Sequence, residues 1–197
     1  MADGLVARGA VLVDADAIVR ELQAPGAPLL GRMAERFGPE ILRADGSLDR
    51  AAVAAIVFRD PDELAALNAI VHPAVTDEMT ARRQVLAGTD ATVVLDIPLL
   101  VESGYRNLGG IVVVDVDPEI AVARLVAFRG FAEDDARARI ARQVARDERL
   151  AVADFVIDNS GGRDELEAQL DACWAWIAAL PRPEPGGEVV PIRGRAG

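Results

Sequence analysis

The sequence contains no lysine: all 21 of its basic residues are arginine. Without a lysine amine the chain cannot form a Schiff base, and it holds no complete Gly-x-x-x-x-Gly-Lys-Ser/Thr phosphate loop. The single cysteine, Cys173, excludes an intramolecular disulfide framework, and the single histidine, His72, excludes a metal centre built from several histidines. We expect Cys173 to be a core residue.

Long apolar runs are also missing. The longest ones are interrupted by charge, so none can span a bilayer, and residues Met1–Gly4 do not have the pattern of a secretory signal. The net charge of −11 argues against sequence-independent binding to DNA or RNA. We therefore expect a cytoplasmic protein with no membrane or nucleic-acid partner. Its 197 residues, 51% of them hydrophobic, suffice for one domain with a full core.

Four short apolar runs rich in β-branched residues predict strands. They are Ala10–Val13, Thr92–Leu95, Ile111–Val114 and Phe155–Ile157. Continuous runs of this length are typical of parallel strands that are buried on both faces. Each run is followed directly by an aspartate, and these are Asp14, Asp96, Asp115 and Asp158. Because helical patterns lie between the runs, the sequence predicts an α/β fold with an open sheet.

The helical patterns between the runs have clear boundaries. Asp60 and Asp117 each precede a proline and can cap a helix. The helix after Asp117 is expected to end near Gly130. Residues 164–180 form a long amphipathic pattern that Pro181 stops.

Most of the chain between the first two runs is helical in pattern. Residues 20–88 contain no convincing strand, and His72 lies at a break between two helical patterns. A second helical stretch covers residues 118–152. Residues 181–197 are rich in proline and glycine, and we expect them to be disordered.

Two aspartates, Asp14 and Asp16, follow the first run, at the sheet edge where open α/β proteins bind ligands. Two nearby carboxylates can bind a divalent metal, or one can act as a base while the other holds a ligand. Alternatively, one of them caps the next helix and the other is solvated. Asp96 has the position of a metal-binding carboxylate, although many buried strands end in aspartate.

Residues 124–149 combine seven arginines with five acids in a chain that is acidic as a whole. Guanidinium groups are permanently charged and fork onto phosphate oxygens, so this stretch suits phosphate binding. A solvated helical face with acid–base pairs one turn apart explains the same composition, and without further context it is the favoured explanation. The arginines are Arg124, Arg129, Arg137, Arg139, Arg142, Arg146 and Arg149.

An ordered set of segments, from about residue 4 to about residue 178, resembles the dephospho-CoA kinase family. No single segment is decisive, but the set together with the helical insertion is specific. The segments are Val13–Asp16, Arg20–Leu22, Pro25–Pro28, Phe37–Gly38, Asp45–Arg50, Val57–Phe58, His72–Pro73, Asp96–Leu100 and Ala153–Asn159.

The resemblance implies an α/β P-loop kinase fold. It has a parallel-sheet, three-layer core, a helical insertion that holds the substrate, and a helical lid over the phosphates, and here the family's first strand is absent. The core would comprise residues 1–19, 83–117 and 151–180, the substrate domain residues 20–82, and the lid residues 118–150.

The implied reaction transfers the γ-phosphoryl group of ATP to the ribose 3′-hydroxyl of dephospho-CoA and requires Mg²⁺. Asp16 falls where the family has its catalytic aspartate, which accepts the hydroxyl proton. Arg129, Arg146 and Arg149 fall in the lid, where they would bind phosphate, and Asp96 would contact the metal. The implied substrate-binding residues are Asp14, Arg20, His72, Pro98 and Leu99.

The sequence departs from the family at its start. Family members begin with a strand and a Gly-x-x-x-x-Gly-Lys-Ser/Thr loop, and residues 1–9 resemble the helix that follows this loop. The resemblance places the missing strand in the middle of the sheet, so that two strands lose a hydrogen-bonded neighbour, and the loop's N–H groups are what cradle the phosphates. We therefore expect the 197 residues alone to be poorly stable and severely impaired as a kinase. A start codon assigned too late, at Met1, would explain the difference.

Two other functions stay open at this point. One is a non-catalytic, truncated relative that retains only the binding of CoA-like molecules. The other is a different small-molecule P-loop kinase, for instance one that acts on nucleosides. The segments Asp45–Arg50 and His72–Pro73 favour dephospho-CoA over this second alternative.

Overall fold

The structure is a computed structural model that describes residues 1–98, 100–103, 108–141 and 143–181. The chain divides into two compact units. One is residues 10–97, the 10–97 unit. The other joins residues 1–9 to residues 98–197 and is called the terminal unit. The predicted boundaries of the core, substrate domain and lid stay predictions.

The described residues of the 10–97 unit form a parallel strand pair and a group of helices. In chain order they are β1 (Val11–Asp14), α1 (Ala15–Leu22), α2 (Pro28–Phe37), a 3₁₀ turn (Pro39–Ile41), α3 (Arg50–Val57), α4 (Pro61–Leu86) and β2 (Val93–Asp96). Strand β1 pairs with β2 in register from Val11 opposite Val93 to Asp14 opposite Asp96. The two predicted strands are therefore confirmed, and each aspartate is the last residue of its strand.

The helices of this unit enclose an apolar core. Helices α2 and α3 and the 3₁₀ turn supply its buried side chains, and α4 packs against all three helices that precede it. Arg82 of α4 forms ion pairs with Glu78 and with Glu21 of α1. The buried core residues are Leu29, Met33, Phe37, Ile41, Val53 and Val57.

Helix α4 corrects one expectation from the sequence. It runs without interruption through 26 residues and contains Pro73, so His72 does not lie at a break between two helices. A proline inside a helix removes one backbone hydrogen bond, here to the carbonyl of Ala69. Packing on α1, α2 and α3 outweighs that loss. The predicted start is confirmed, because Asp60 caps the helix by accepting from Asp62 N at 2.9 Å.

The described residues of the terminal unit form the second strand pair and further helices. They are α5 (Ala2–Val6), which precedes β1 in the chain, then α6 (Leu100–Ser103), β3 (Val112–Asp115), α7 (Pro118–Arg129), α8 (Glu133–Ala141), α9 (Arg146–Ala151), β4 (Phe155–Asp158) and α10 (Arg163–Ala178). Strands β3 and β4 are parallel, with Asp115 opposite Asp158. As predicted, Asp117 caps α7, and Gly130 ends it in the left-handed conformation at φ 68°.

The long helix α10 organises this unit. It packs on β4, where the rings of Trp176 and Phe155 lie 5.4 Å apart, and on α5. Arg8, just after α5, donates to Asp171 and Glu167 of α10. Cys173 is 0% exposed on the same helix, which confirms it as a core residue, and burial raises the pKa of its thiol.

The strands are less buried than their sequences suggested. Val11, Val114 and Val156 remain exposed, so the expectation of strands covered on both faces is wrong at these positions. Each ladder of the described residues has two strands, so every strand is an edge, and a side chain at an edge lacks a neighbour on one side.

Among the helices of the described ranges, none combines the length and apolar content needed to cross a membrane. Residues 182–197, which hold nearly all of the segment expected to be disordered, lie outside the described residues.

Candidate active site

Three carboxylates gather at the carboxyl ends of β1 and β2. Asp14 and Asp96 are neighbours in the ladder, and Asp16 lies in the first turn of α1, which starts directly after β1. Desolvation at the sheet edge raises the pKa of Asp96, and the negative charges of Asp14 and Asp16 raise it further, although its side chain keeps an exposed surface. The carboxylates therefore lie close enough to repel one another.

Asp14 and Asp16 divide two tasks. The Asp14 carboxylate accepts from Ala17 N at 2.9 Å and caps α1, while Asp16 is exposed to solvent. This is the geometry of the alternative in which one aspartate caps and the other is solvated. It also suits catalysis, because the cap fixes the first turn of α1 and holds Asp16 beyond the end of the strand.

Of the other predicted substrate residues, only Arg20 contacts one of these aspartates in the described structure. Arg20 is one turn after Asp16 on α1, and its Nε donates to the Asp16 backbone carbonyl at 3.1 Å. His72 is exposed on α4, and Pro98 is exposed two residues after β2. Leu99 lies outside the described residues. The structure thus brings Arg20, and not His72, next to the aspartates in its described contacts.

Of the three arginines predicted to bind phosphate, Arg146 contacts a carboxylate in the terminal unit. Arg146 Nε donates to both carboxylate oxygens of Asp115 at 3.0 Å, and Nη2 donates to one of them at 2.5 Å. This guanidinium lowers the pKa of Asp115. Arg149, one turn later, donates to the Val144 carbonyl at 2.7 Å. Arg129 is the exposed last residue of α7.

Other arginines of this stretch stabilise the helices. Arg137 donates to Glu133 one turn before it and to both carboxylate oxygens of Glu119, so here the solvated acid–base face is the observed arrangement. The guanidinium of Arg139 lies 5.6 Å from the ring centre of Phe131. Arg142 lies outside the described residues.

A cavity of about 550 Å³ lies beyond the carboxyl end of β4. Arg124 lines it and donates to the carbonyls of Asn159, at 2.5 Å, and Gly161, at 3.2 Å. Sequence reasoning counted Arg124 among the arginines but gave it no site. The signal was available, because Asn159 follows a strand at the edge where such sheets bind ligands.

Comparison with known proteins identifies the family of the chain. The family model described as dephospho-CoA kinase matches residues 1–165. The dephospho-CoA kinase of Streptomyces avermitilis is 51% identical over 172 residues, which are 87% of this chain and 83% of that protein. The enzyme of the same name from Corynebacterium glutamicum is 47% identical and covers 86% of both chains.

Solved structures agree with the fold. The crystal structure of TT1252 from Thermus thermophilus superimposes with a TM-score of 0.75 at 32% identity and covers 89% of this chain and 88% of that one. Dephospho-CoA kinase from Campylobacter jejuni has the same fold, with a TM-score of 0.66 at 24% identity and 87% coverage of both chains. The carboxylate edge, the parallel strands and these likenesses agree, and the chain belongs to the dephospho-CoA kinase family.

Proposed function

We propose that this chain transfers the γ-phosphoryl group of ATP to the 3′-hydroxyl of the ribose in dephospho-CoA, the last step of coenzyme A biosynthesis. The observation that carries the proposal is the exposed carboxylate of Asp16, held beyond the end of β1 by the capping bond of Asp14 in a chain of this family. Membership of the family supports the reaction, and the position of Asp16 supports its role.

Asp16 would act as the base. The 3′-hydroxyl gives its proton to the Asp16 carboxylate while its oxygen forms a bond to the γ-phosphorus. The bond from that phosphorus to the bridging oxygen breaks, and ADP leaves with the electron pair. Because Asp16 is exposed and carries a neighbour, Arg20, on the same face of α1, the substrate can approach it from solvent.

The arginines of α7 and α9 would bind the phosphates. Asp115 holds Nε and Nη2 of Arg146, which leaves its Nη1 for a phosphate oxygen, and the side chain is 48% exposed. Arg129 and Arg149 would add positive charge. Such charge, placed before the reaction begins, is the main way in which proteins accelerate phosphoryl transfer.

The donor set of the carboxylate edge fits Mg²⁺. The ion prefers oxygen ligands and takes one or two protein carboxylates, completing its shell with phosphates and water. Within the described residues no three metal-binding side chains form a cage, and such a shell does not need one. Asp96, whose pKa is raised by desolvation and then by its acidic neighbours, is the residue we propose for this contact. When bound, Mg²⁺ neutralises phosphate charge.

The cavity beyond β4 fits the base and ribose of ATP. Its volume of about 550 Å³ lies within the range of small-molecule sites, and Asn159, Gly161 and Gly162, which follow β4, line it. We place the protein in the cytoplasm, where dephospho-CoA would be its small-molecule partner.

The test is a comparison of Asp16→Asn with Asp62→Asn. Both aspartates are exposed second residues of a helix, α1 and α4 respectively, but only Asp16 lies at the sheet edge. Loss of the base should lower kcat by about 10²–10⁴-fold in D16N and leave D62N unchanged. Equal kcat values in the two variants would show that Asp16 is not the base.

Acceptor profiling decides between the reactions. Dephospho-CoA and a nucleoside are each incubated with ATP, Mg²⁺ and the chain, and phosphorylated product is measured by mass. Phosphorylation of the nucleoside alone would favour the other small-molecule kinase, and binding of dephospho-CoA without transfer would favour the non-catalytic relative.

The expectation that the 197 residues alone are severely impaired is tested in the same assay, against a chain extended by a strand and a Gly-x-x-x-x-Gly-Lys-Ser loop. Ready transfer by the 197-residue chain would contradict that expectation, and Asp16→Asn is then measured in it. Otherwise the extended chain serves for the comparison of D16N with D62N.

A further inference from the structure

The cavity beyond β4 has an apolar part and a polar part. Gly4 of α5 and Leu166 and Leu170 of α10 line it, and apolar surface of this kind suits the faces of a planar base. Among the described residues that line the cavity, Asn159 has the only uncharged polar side chain. The other polar side chains of the lining carry charge, and they belong to Asp3, Arg8, Arg124, Arg163 and Glu167.

The backbone of Asn159 is held from both sides. Its N–H donates to the carbonyl of Asp115 at 2.7 Å, and its carbonyl accepts from Arg124 Nη1 at 2.5 Å. The residue is half-buried, and its carboxamide has no hydrogen-bond partner within the part of the chain that the structure describes. The carboxamide is therefore the group of Asn159 that remains for a ligand.

The loop around this residue is fixed by side chains of two helices. Arg124 of α7 also donates through Nη2 to the carbonyls of Ser160, at 3.4 Å, and Gly161, at 3.2 Å. Gln169 of α10 accepts from Asp158 N and donates to the Asp158 carbonyl, both at 2.7 Å. Because these bonds form within the protein, the loop has its shape before a ligand arrives, which lowers the entropy cost of binding.

Resting on the proposed function, we propose that the carboxamide of Asn159 binds the adenine of the phosphoryl donor, and that Arg124 is the residue that positions it. Adenine presents the 6-amino donor next to the N7 acceptor, and an asparagine pairs with both, through Oδ1 and Nδ2 respectively. Guanine presents two acceptors, O6 and N7, at the same edge, so Oδ1 finds no donor there. The pair of bonds therefore also favours adenine over guanine.

Nucleosides test this proposal in the unmodified 197-residue chain, because without phosphates they need no phosphate loop. Binding of adenosine, 7-deazaadenosine and guanosine is measured by NMR titration. We expect 7-deazaadenosine, which lacks the N7 acceptor, to bind about threefold to tenfold more weakly than adenosine, and guanosine about 10–100-fold more weakly. Adenosine that does not bind, or that binds no better than its 7-deaza analogue, overturns the proposal.

Asn159→Asp separates contact with the base from a structural role. A carboxylate accepts from the 6-amino group but repels the lone pair of N7, so N159D should prefer 7-deazaadenosine to adenosine. A purely structural role predicts equal weakening of the two nucleosides and an unchanged preference, and that result contradicts the proposal. Asn68→Asp introduces the same charge at a half-buried position of α4, outside the lining, and should keep the preference of the unmodified chain.

Arg124→Gln tests the positioning role, with Arg139→Gln on α8 as its control. Without the bonds to the loop carbonyls the carboxamide loses its fixed place, so R124Q should bind adenosine and 7-deazaadenosine nearly equally. R139Q removes an exposed guanidinium that does not line the cavity and should keep the preference for adenosine. A full preference in R124Q would show that Asn159 does not need Arg124.

Transfer assays separate this proposal from the one on which it rests. Phosphorylation of dephospho-CoA with the same KM for ATP and 7-deaza-ATP would overturn the role of Asn159 and leave the kinase reaction standing. A nucleoside preference that N159D reverses, in a chain or extended chain that never phosphorylates dephospho-CoA, would support the role of Asn159 and contradict the kinase reaction.

Discussion

Arg146 and Asp115 are 31 positions apart in the sequence, and Nε and Nη2 of the guanidinium contact both oxygens of the carboxylate. Asp115, at the end of β3, is 5% exposed, whereas the side chain of Arg146 is 48% exposed. The carboxylate is thus fixed within the terminal unit, and the guanidinium that it orients remains open to solvent.

Asp115→Asn should destabilise the terminal unit in a pH-dependent way. Arg146 lowers the pKa of Asp115 in the folded state. The pair therefore stabilises the fold above the ordinary aspartate pKa and loses this effect as the pH falls through the lower, folded-state pKa. Thermal melts should show a lower Tm for D115N at pH 7 and a difference that shrinks below about pH 4.

Glu119→Gln is the control for that change. Glu119 also receives two bonds from one guanidinium, each 2.8 Å long from Arg137, but its side chain is 71% exposed. Exposed ion pairs are screened by water and salt and contribute little. Equal losses of Tm in E119Q and D115N would show that burial of Asp115 does not strengthen its pair.

Asp96→Asn should have the opposite effect on stability. Desolvation and the charges of Asp14 and Asp16 raise the pKa of Asp96. Its ionisation therefore opposes folding increasingly as the pH rises from the ordinary aspartate pKa to that raised value, and the effect is complete above it. We expect D96N to melt above the unmodified chain at pH 7, with no difference once Asp96 is protonated in both states. Asp77→Asn, at an exposed position of α4, should leave Tm unchanged. A lower Tm for D96N at pH 7 would contradict the repulsion.

Asp14→Ala should lower the free energy of unfolding by about 1 kcal/mol, because α1 loses its capping acceptor. Asp14→Asn keeps an oxygen for the cap and should recover most of this loss. Asp60→Ala removes the equivalent cap from α4 and serves as the comparison. Denaturant titrations measure all three. We expect the rate of phosphoryl transfer to dephospho-CoA to fall in D14A and to be unchanged in D60A. An equal fall in both variants would show that Asp14 acts only as a helix cap.

Pro73→Ala should stabilise α4. An alanine at this position restores the N–H that the Ala69 carbonyl lacks within the helix, and the free energy of unfolding should rise by up to about 3 kcal/mol. Thr76→Ala, one turn later at an exposed position, corrects for helix propensity alone and should change stability by about 0.5 kcal/mol. An equal effect of the two changes would mean that the helix already accommodates its proline without loss.

The features that the sequence predicted correctly are local ones. Each strand ends at its aspartate, and Asp60 and Asp117 cap the helices that follow them, because both patterns depend on residues within a few positions. The same local reasoning was wrong at His72–Pro73, since the packing of α4 on three other helices outweighs the one hydrogen bond that a proline removes.

Contacts between distant residues could not be predicted. Nothing near Arg146 in the sequence indicates that Asp115 is its partner, and Gln23 carries no pattern that marks a buried, unsatisfied carbonyl. The aspartates of the sheet edge were identified as candidates, but which one caps and which one stays exposed depends on where α1 begins. The roles of these aspartates, of Arg20 and of the arginines predicted to bind phosphate stay predictions.

The short helix α1 has an evolutionary consequence. Ala15 and Ile18 anchor its inner face and are at most 9% exposed, while Asp16 and Gln23 stand at its two ends. A substitution that displaces Ile18 would shift both ends together, the carboxylate of Asp16 at one end and the buried amide of Gln23 at the other. Natural selection that acts on either end therefore also restricts the inner residues of α1.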